Sequence, residues 1–309
     1  MTDIAAARPS SAIRRATLIG AIAVLLWATL ALFTASTGAV PPFQLMAMTF
    51  AIAFLFAGLK WLRDAVVKGP SAFAFLRQPW PVYALGIGGL FLYHLFYFVA
   101  LDHAPAVEAS LIAYLWPLLI VLFSALLPGE KLYWQHVVGA LIGMGGAIIL
   151  LVYRDQDGGN DPTQPIGSAL GYGAALACAF TWSIYSVLSR RFGSAPTDLV
   201  GAFCGVTALL GFLSHLLVET TVWPADMWEW LAILALGLGP VGAAFFVWDY
   251  GVKKGDIKAL GAISYASPLI STLLLILTGK ATASLAILLG CLAIVGGAVL
   301  AARDLYMKK

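Results

Sequence analysis

The sequence predicts an all-α polytopic membrane protein: ten transmembrane helices forming two inverted five-helix repeats, both termini cytoplasmic. Three observations lead there. Of the 309 residues 61% are hydrophobic and only 11% charged, whereas soluble domains carry about a quarter charged residues. Apolar runs of about 20 residues, the length at which a helix crosses the hydrocarbon core, recur along the chain. Threading those runs through a bilayer puts nearly all lysine and arginine on one side.

Residues 1–16 read as a basic cytoplasmic segment with Arg8, Arg14 and Arg15. The run from Leu18 through Trp27 to Ala35 is longer than a secretory signal core and more spans follow, so it reads as a retained first helix. Spans are expected at 17–36, 42–62, 81–101, 105–127 and 133–153, a first repeat over 17–153. A polar stretch, 154–165, reads as an extracytoplasmic linker. The second repeat, 166–302, has spans at 166–189, 198–218, 228–248, 258–278 and 282–302, and 303–309 is a cytoplasmic tail. With the N-terminus inside, the inner side holds 16 of the 18 lysines and arginines, and only Arg154 and Lys280 fall outside. Asp102, Asp155, Asp157, Asp161, Glu219, Asp226 and Glu229 collect on the outer side. Short loops leave no room for a soluble domain.

The two units match at one offset, 151 residues. Gly139 meets Gly290, Gly145-Gly146-Ala147 meets Gly296-Gly297-Ala298, Tyr114 meets Tyr265 and Pro117 meets Pro268. Five spans per unit is an odd number, so the second unit enters the membrane upside down, which places a transport site between the halves. Pro117 and Pro268 lack a backbone donor and clash with the preceding turn, so both spans are expected to break there. Lipid cannot satisfy freed backbone groups, so the breaks should face protein or a water-filled cavity. Pro240, in span eight, is a third expected bend.

These features resemble the EamA-type members of the drug/metabolite transporter superfamily: five plus five spans, Gly-rich fifth and tenth helices, and Pro128-Gly129-Glu130-Lys131 after span four. Ala16-Thr17-Leu18-Ile19-Gly20 leading to Leu26-Trp27, with Tyr114-Leu115-Trp116-Pro117, is similar to the YddG-type aromatic amino-acid exporters. The resemblance covers nearly the whole chain. It implies a bacterial inner-membrane exporter of aromatic and other neutral amino acids, and it alone supplies the direction of flux.

The residues themselves point to substrate class. Between their ends the expected spans hold no lysine or arginine, and an anionic cargo needs buried cations. A zwitterion or neutral molecule fits: opened-helix N–H groups and tyrosine hydroxyls meet its carboxylate, and aromatic faces attract its ammonium. Candidate substrate-binding residues are Trp27, Tyr93, His94, Tyr97, Tyr114, Trp116, Trp182, Tyr185, Trp248 and Tyr265, with Pro117, Pro240 and Pro268 as helix-break or gating positions. Such rings also pack between helices, but Tyr114, Trp116 and Tyr265 stand beside the breaks. His94 is a titratable group near mid-span and shares a helical face with Tyr97. His103, His136 and His215, near span ends or in a loop, carry no expected role. Glu108, in a first helical turn, suits the helix dipole. With no carboxylate expected deep in the membrane, facilitated diffusion is favoured over proton antiport.

Other signals are weaker. Gly237-Leu238-Gly239-Pro240-Val241-Gly242 spells GxGxxG but lies inside an apolar span, so it reads as a bend or close-packing site. Gly139/Gly143, Gly167/Gly171 and Gly201/Gly205 read as close helix contacts. Cys178, Cys204 and Cys291 lack metal or redox spacing and read as packing residues. No catalytic residue, metal or cofactor is expected. The partners expected are amino acids and the lipid bilayer, not nucleic acid, and either a monomer or a weak dimer fits. The competing functions are a broad exporter of lipophilic drugs or metabolites, a carrier working in uptake, and an intramembrane enzyme or sensor.

Overall fold

A computed structural model describes residues 11–157, 168–277, 285–301 and 303. Most of the expected 154–165 linker, Lys280, the first ten residues and the 304–309 end of the tail lie outside those residues. Among the described residues every regular element is helical. The chain runs α1 (Ser11–Ala28), α2 (Leu30–Thr34), α3 (Pro42–Lys68), α4 (Trp80–His103), α5 (Ala106–Ala113), α6 (Trp116–Ser124) and α7 (Trp134–Asp157). Then come α8 (Ala169–Arg191), α9 (Leu199–Val218), α10 (Met227–Leu238), α11 (Ala244–Lys254), α12 (Ile257–Ile263), α13 (Ala266–Leu277) and α14 (Leu285–Ala301). Among the described residues six segments are long and apolar enough to cross a membrane: Ser11–Thr34, Pro42–Leu76, Trp80–His103, Ala169–Arg191, Leu199–Val218 and Met227–Lys254. Glu108–Ser124, Trp134–Ile149 and Ile287–Ala301 are shorter apolar helices. Large apolar side chains such as Leu18, Leu55, Leu209 and Leu292 stand exposed around the bundle, which water would penalise and lipid does not.

The helix breaks have local causes. At Thr29 the hydroxyl and the backbone N–H both turn back on the Leu26 carbonyl, at 2.7 and 3.1 Å, and α1 ends there. Pro117 and Pro268 open the two expected spans. Before Pro117 the Leu115 N–H bonds the Ile112 carbonyl at 3.1 Å, and before Pro268 the Ser267 N–H bonds the Ser264 carbonyl at 3.2 Å. Both are three-residue steps that tighten the chain where proline offers no donor. The Pro240 bend takes another form, a π turn over Gly239–Ala243 between α10 and α11. Three boundaries differ most from expectation, each by six residues. α1 starts six residues early, at Ser11. α3 continues past residue 62 to Lys68, where Gly69 at φ +64° ends it. α11 continues past 248 to Lys254, which carries three charged residues, Asp249, Lys253 and Lys254, into the helix.

Packing follows small residues. α7 lies on α14, α3 on α9, α4 on α8 and α1 on α11. A Cβ on Gly139 would stand 2.5 Å from the Gly297 carbonyl oxygen, and one on Gly146 would stand 2.7 Å from that of Gly290. The numbers rise along one helix and fall along the other, so α7 and α14 run antiparallel. The 151-residue offset exchanges these two contacts with each other.

Candidate functional site

Four tryptophans meet where α1, α6, α8 and α11 converge. Trp27 lies 6.0 Å from Trp116, 5.6 Å from Trp182 and 5.1 Å from Trp248 between ring centroids. Trp116 lies 6.3 Å from Trp182 and 5.8 Å from Trp248, edge to face. Such pairs are worth about 0.5–1.5 kcal/mol each beyond area burial. Two of the four indole N–H groups are hydrogen-bonded. Trp27 Nε1 donates to the Pro240 carbonyl of the π turn at 3.1 Å, and Trp248 Nε1 donates to Ser186 Oγ at 3.1 Å. Ser183 Oγ sits 3.0 Å from the Trp116 carbonyl and 2.7 Å from that of Ala179. Trp116, Trp182 and Trp248 are buried and Trp27 is half-buried.

From this cluster a half-buried aromatic wall runs along α4. Tyr93 is 5.3 Å from Trp182 and stacks on Tyr97 at 6.3 Å with ring planes 7° apart. His94 meets Phe50 at 5.1 Å and Phe245 at 6.3 Å. His94 Nδ1 lies 2.7 Å from the Leu90 carbonyl. A carbonyl only accepts, so Nδ1 carries a proton, and in the neutral form of the ring Nε2 is left as an acceptor. Tyr97 Oη pairs with Ser110 Oγ at 3.2 Å. Tyr185 touches Trp182 at 5.2 Å on the other side.

Tyr114 and Tyr265, beside the helix breaks, sit apart from the tryptophans. They belong to a second apolar cluster with Val121, Ala140 and Ala147. Tyr265 is fully buried against Gly143, and its phenol oxygen accepts the Leu118 N–H at 3.1 Å. That N–H is one of the donors left unpaired at the start of α6, so the tyrosine braces the break.

One end of the bundle is closed by charge. Glu130, between α6 and α7, receives Arg190 on one oxygen at 2.7 Å and Lys258 on the other at 2.6 Å. Arg190 Nη1 also donates to the carbonyls at the end of α11, Val252 at 3.0 Å and Gly255 at 2.6 Å. The Asp256 N–H donates to Thr17 Oγ1 at 2.8 Å. Burial pushes the Glu130 carboxyl up, but Lys258 and Arg190 outweigh it and hold the group below its ordinary value. At the same end Asp249 Oδ1 pairs with Lys253 at 2.9 Å, and Thr197 donates to Oδ2 at 2.7 Å. These residues escaped the sequence reading. Asp249 lies one residue past the expected end of span eight, and its carboxylate is buried there. Glu130, Arg190 and Lys258 looked like loop charges because their convergence spans 128 residues of chain. The Pro128-Gly129-Glu130-Lys131 motif was the one signal available.

The opposite end is held by hydrogen bonds. Glu219 accepts the first N–H groups of α3, Phe43 at 2.9 Å and Gln44 at 3.0 Å, and also pairs with His215 at 2.9 Å. Tyr172 donates to Glu108, so that acid takes a tyrosine partner besides its place in the first turn of α5. Among the described residues no cluster of His, Cys, Asp and Glu could hold a metal ion.

Comparison with known proteins agrees with this architecture. The model of the EamA-like transporter family matches residues 14–152 and again 169–303. The chain is 54% identical over 286 residues to the aromatic amino acid exporter YddG of Ancylobacter novellus, covering 93% of this chain and 96% of that protein. It is 25% identical over 308 residues to the protein of the same name from Escherichia coli (strain K12), covering 93% and 96%. A solved crystal structure with 53% identity superposes with a TM-score of 0.84, over 94% of this chain and 98% of the other. Two family matches that together span most of the chain, on a bundle of apolar helices, place it: this multi-pass membrane protein belongs to the EamA-like transporter family.

Proposed function

We propose that the protein exports neutral, aromatic and large apolar L-amino acids across a bacterial inner membrane by alternating access through the tryptophan cluster. The observation that carries this reading is the cluster itself. Trp27 and Trp116 come from the first family match, Trp182 and Trp248 from the second, and among the described residues no cationic side chain makes a ring contact within it. Rings of this kind give apolar surface to an aromatic side chain and a negative face to an ammonium. The names of the relatives support the substrate class. Tyr93, His94 and Tyr97 line the approach, and Tyr114 and Tyr265 act on the path by setting the broken helices.

Ten spans in two inverted units, 17–153 and 166–302, account for the packing pairs. Under the 151-residue offset α7 with α14 and α3 with α9 map onto themselves, and α4 with α8 maps onto α11 with α1. With both termini cytoplasmic, the Glu130 end faces inward and is closed. Transport then requires Glu130 to release Arg190 and Lys258 while the Glu219 end closes over the α4 wall. Facilitated diffusion remains the favoured energetics, because the buried Asp249 is already neutralised by Lys253.

Counterflow in proteoliposomes loaded with phenylalanine tests the reading. Uptake of labelled phenylalanine that depends on internal amino acid is the expected result, unchanged by a pH gradient. Exchange of cationic dyes but of no amino acid would replace it with the lipophilic-drug exporter. Exchange of neither, with the protein folded, would point to an enzyme or sensor.

A further inference from the structure

The loop between α8 and α9, residues 192–198, closes over Asp249 and Lys253 of α11 with one hydrogen-bond donor and one acceptor. Thr197 Oγ1 donates to Asp249 Oδ2 at 2.7 Å. The Ala195 carbonyl accepts from Lys253 Nζ at 3.0 Å. The two charged groups hold each other at 2.9 Å, with side chains 1% and 6% exposed. Buried charges persist only when paired and further hydrogen-bonded, and the loop completes that set. Beside the pair is a void with room for about one water molecule, lined by Gly86, Tyr185, Ser189 and Phe203 as well as by Asp249 and Lys253. The Tyr185 hydroxyl is buried beside the Ser189 side chain and makes no hydrogen bond of standard geometry. A buried hydroxyl without a well-formed hydrogen bond retains polar capacity. The Tyr185 ring touches Trp182, which puts the void next to the tryptophan cluster.

We propose that Asp249 and Lys253 form a second binding station, for the α-ammonium and α-carboxylate of an amino acid passing between the tryptophan cluster and the cytoplasm, and that loop 192–198 occupies this station in the closed state. The proposal rests on the amino-acid reading above. A zwitterion carries a cationic donor and an anionic acceptor on one carbon. The loop supplies the neutral equivalents, a hydroxyl donor at Asp249 and a carbonyl acceptor at Lys253. Exchanging loop for substrate leaves net charge unchanged and replaces two hydrogen bonds that each have one charged partner with two in which both partners are charged. The Tyr185 hydroxyl offers a third contact. An amine or an acid alone would fill only half of the station and leave one buried charge without its replacement partner, which selects for zwitterions.

The test is counterflow of labelled phenylalanine by the wild-type protein, Thr197→Val and the double variant Asp249→Leu/Lys253→Met, each checked by its detergent melting curve. Apolar replacement of a whole buried ion pair is often neutral or stabilising, so the double variant is expected to melt near the wild type yet lose at least about tenfold of exchange, about 1.4 kcal/mol. Thr197→Val removes the loop's donor, so the loop competes less and the half-saturating phenylalanine concentration falls about threefold. Wild-type exchange in a folded double variant overturns the station, as does an unchanged or raised half-saturation in Thr197→Val. If the double variant does not fold, Thr197→Val decides. Absence of exchange by the wild-type protein overturns the amino-acid reading and the station with it, whereas wild-type exchange alongside either failed variant result removes the station alone.

Discussion

The phenol oxygen of Tyr265 accepts the backbone N–H of Leu118 at 3.1 Å, so the two proline-broken segments are joined by one hydrogen bond between side chain and main chain. The bond supplies an acceptor where the start of α6 leaves donors unpaired. Tyr265→Phe removes only that oxygen. An unsatisfied buried donor costs about 1–3 kcal/mol, so the melting temperature in detergent is expected to drop while helix content at ambient temperature stays the same. A melting curve identical to wild type would show that the bond carries no weight.

Trp182 touches Trp27, Trp116, Trp248, Tyr93 and Tyr185. Trp182→Phe keeps an aromatic ring but shortens its reach, and phenylalanine counterflow is expected to fall about tenfold, equivalent to about 1.4 kcal/mol. Trp228 is exposed near the start of α10, and Trp228→Phe is the matched control with transport unchanged. Equal rates in both variants would remove the tryptophan cluster from the path.

Glu130 makes a pH test possible. Its folded carboxyl lies below the ordinary value of 4.5, so its contribution to closure is fully present above that value and is lost as pH falls through the lower, folded one. Closure is therefore indifferent to pH between about 6 and 8. Glu130→Gln leaves Arg190 and Lys258 facing a neutral amide and should open the closed end at every pH. Thiol labelling of a Thr17→Cys reporter, which lies at that end, should be slow in the wild-type background at neutral pH and several-fold faster with Glu130→Gln. No acceleration would mean that the ion pairs do not hold the end shut.

Gly146→Val tests the α7–α14 contact. A Cβ at Gly146 would stand 2.7 Å from the Gly290 carbonyl oxygen, so the helices would have to separate. The yield of monodisperse protein after size-exclusion chromatography is expected to collapse, whereas Gly145→Val, where a Cβ meets open space, should express like wild type. Similar yields would contradict the close contact.

Much of the fold was legible from residue order. Apolar runs of spanning length, the two prolines and the 151-residue glycine register all have local signatures, and the breaks appear beside Pro117 and Pro268. Boundaries were less legible. α11 keeps going beyond Trp248 because Asp249 and Lys253 neutralise each other across one helical turn, and a count of apolar residues cannot register that. The candidate site was legible in residue type but not in grouping. Trp27, Trp116, Trp182 and Trp248 were all candidates, as were Tyr114 and Tyr265, yet the last two pack under α7 rather than beside the tryptophans.

By itself the sequence determined the medium and the repeat: too few charges for water, helices long enough for lipid, and prolines placed where a helix must open. Those properties are sums and spacings along one chain, and lipid enforces them segment by segment. Tertiary structure alone decided which rings meet, which carboxylate is held by Arg190 and Lys258, and how a loop closes over Asp249. Each of these depends on groups far apart in the chain brought within a few ångströms. Their strength comes from the distance and burial that packing creates, and no single segment encodes either.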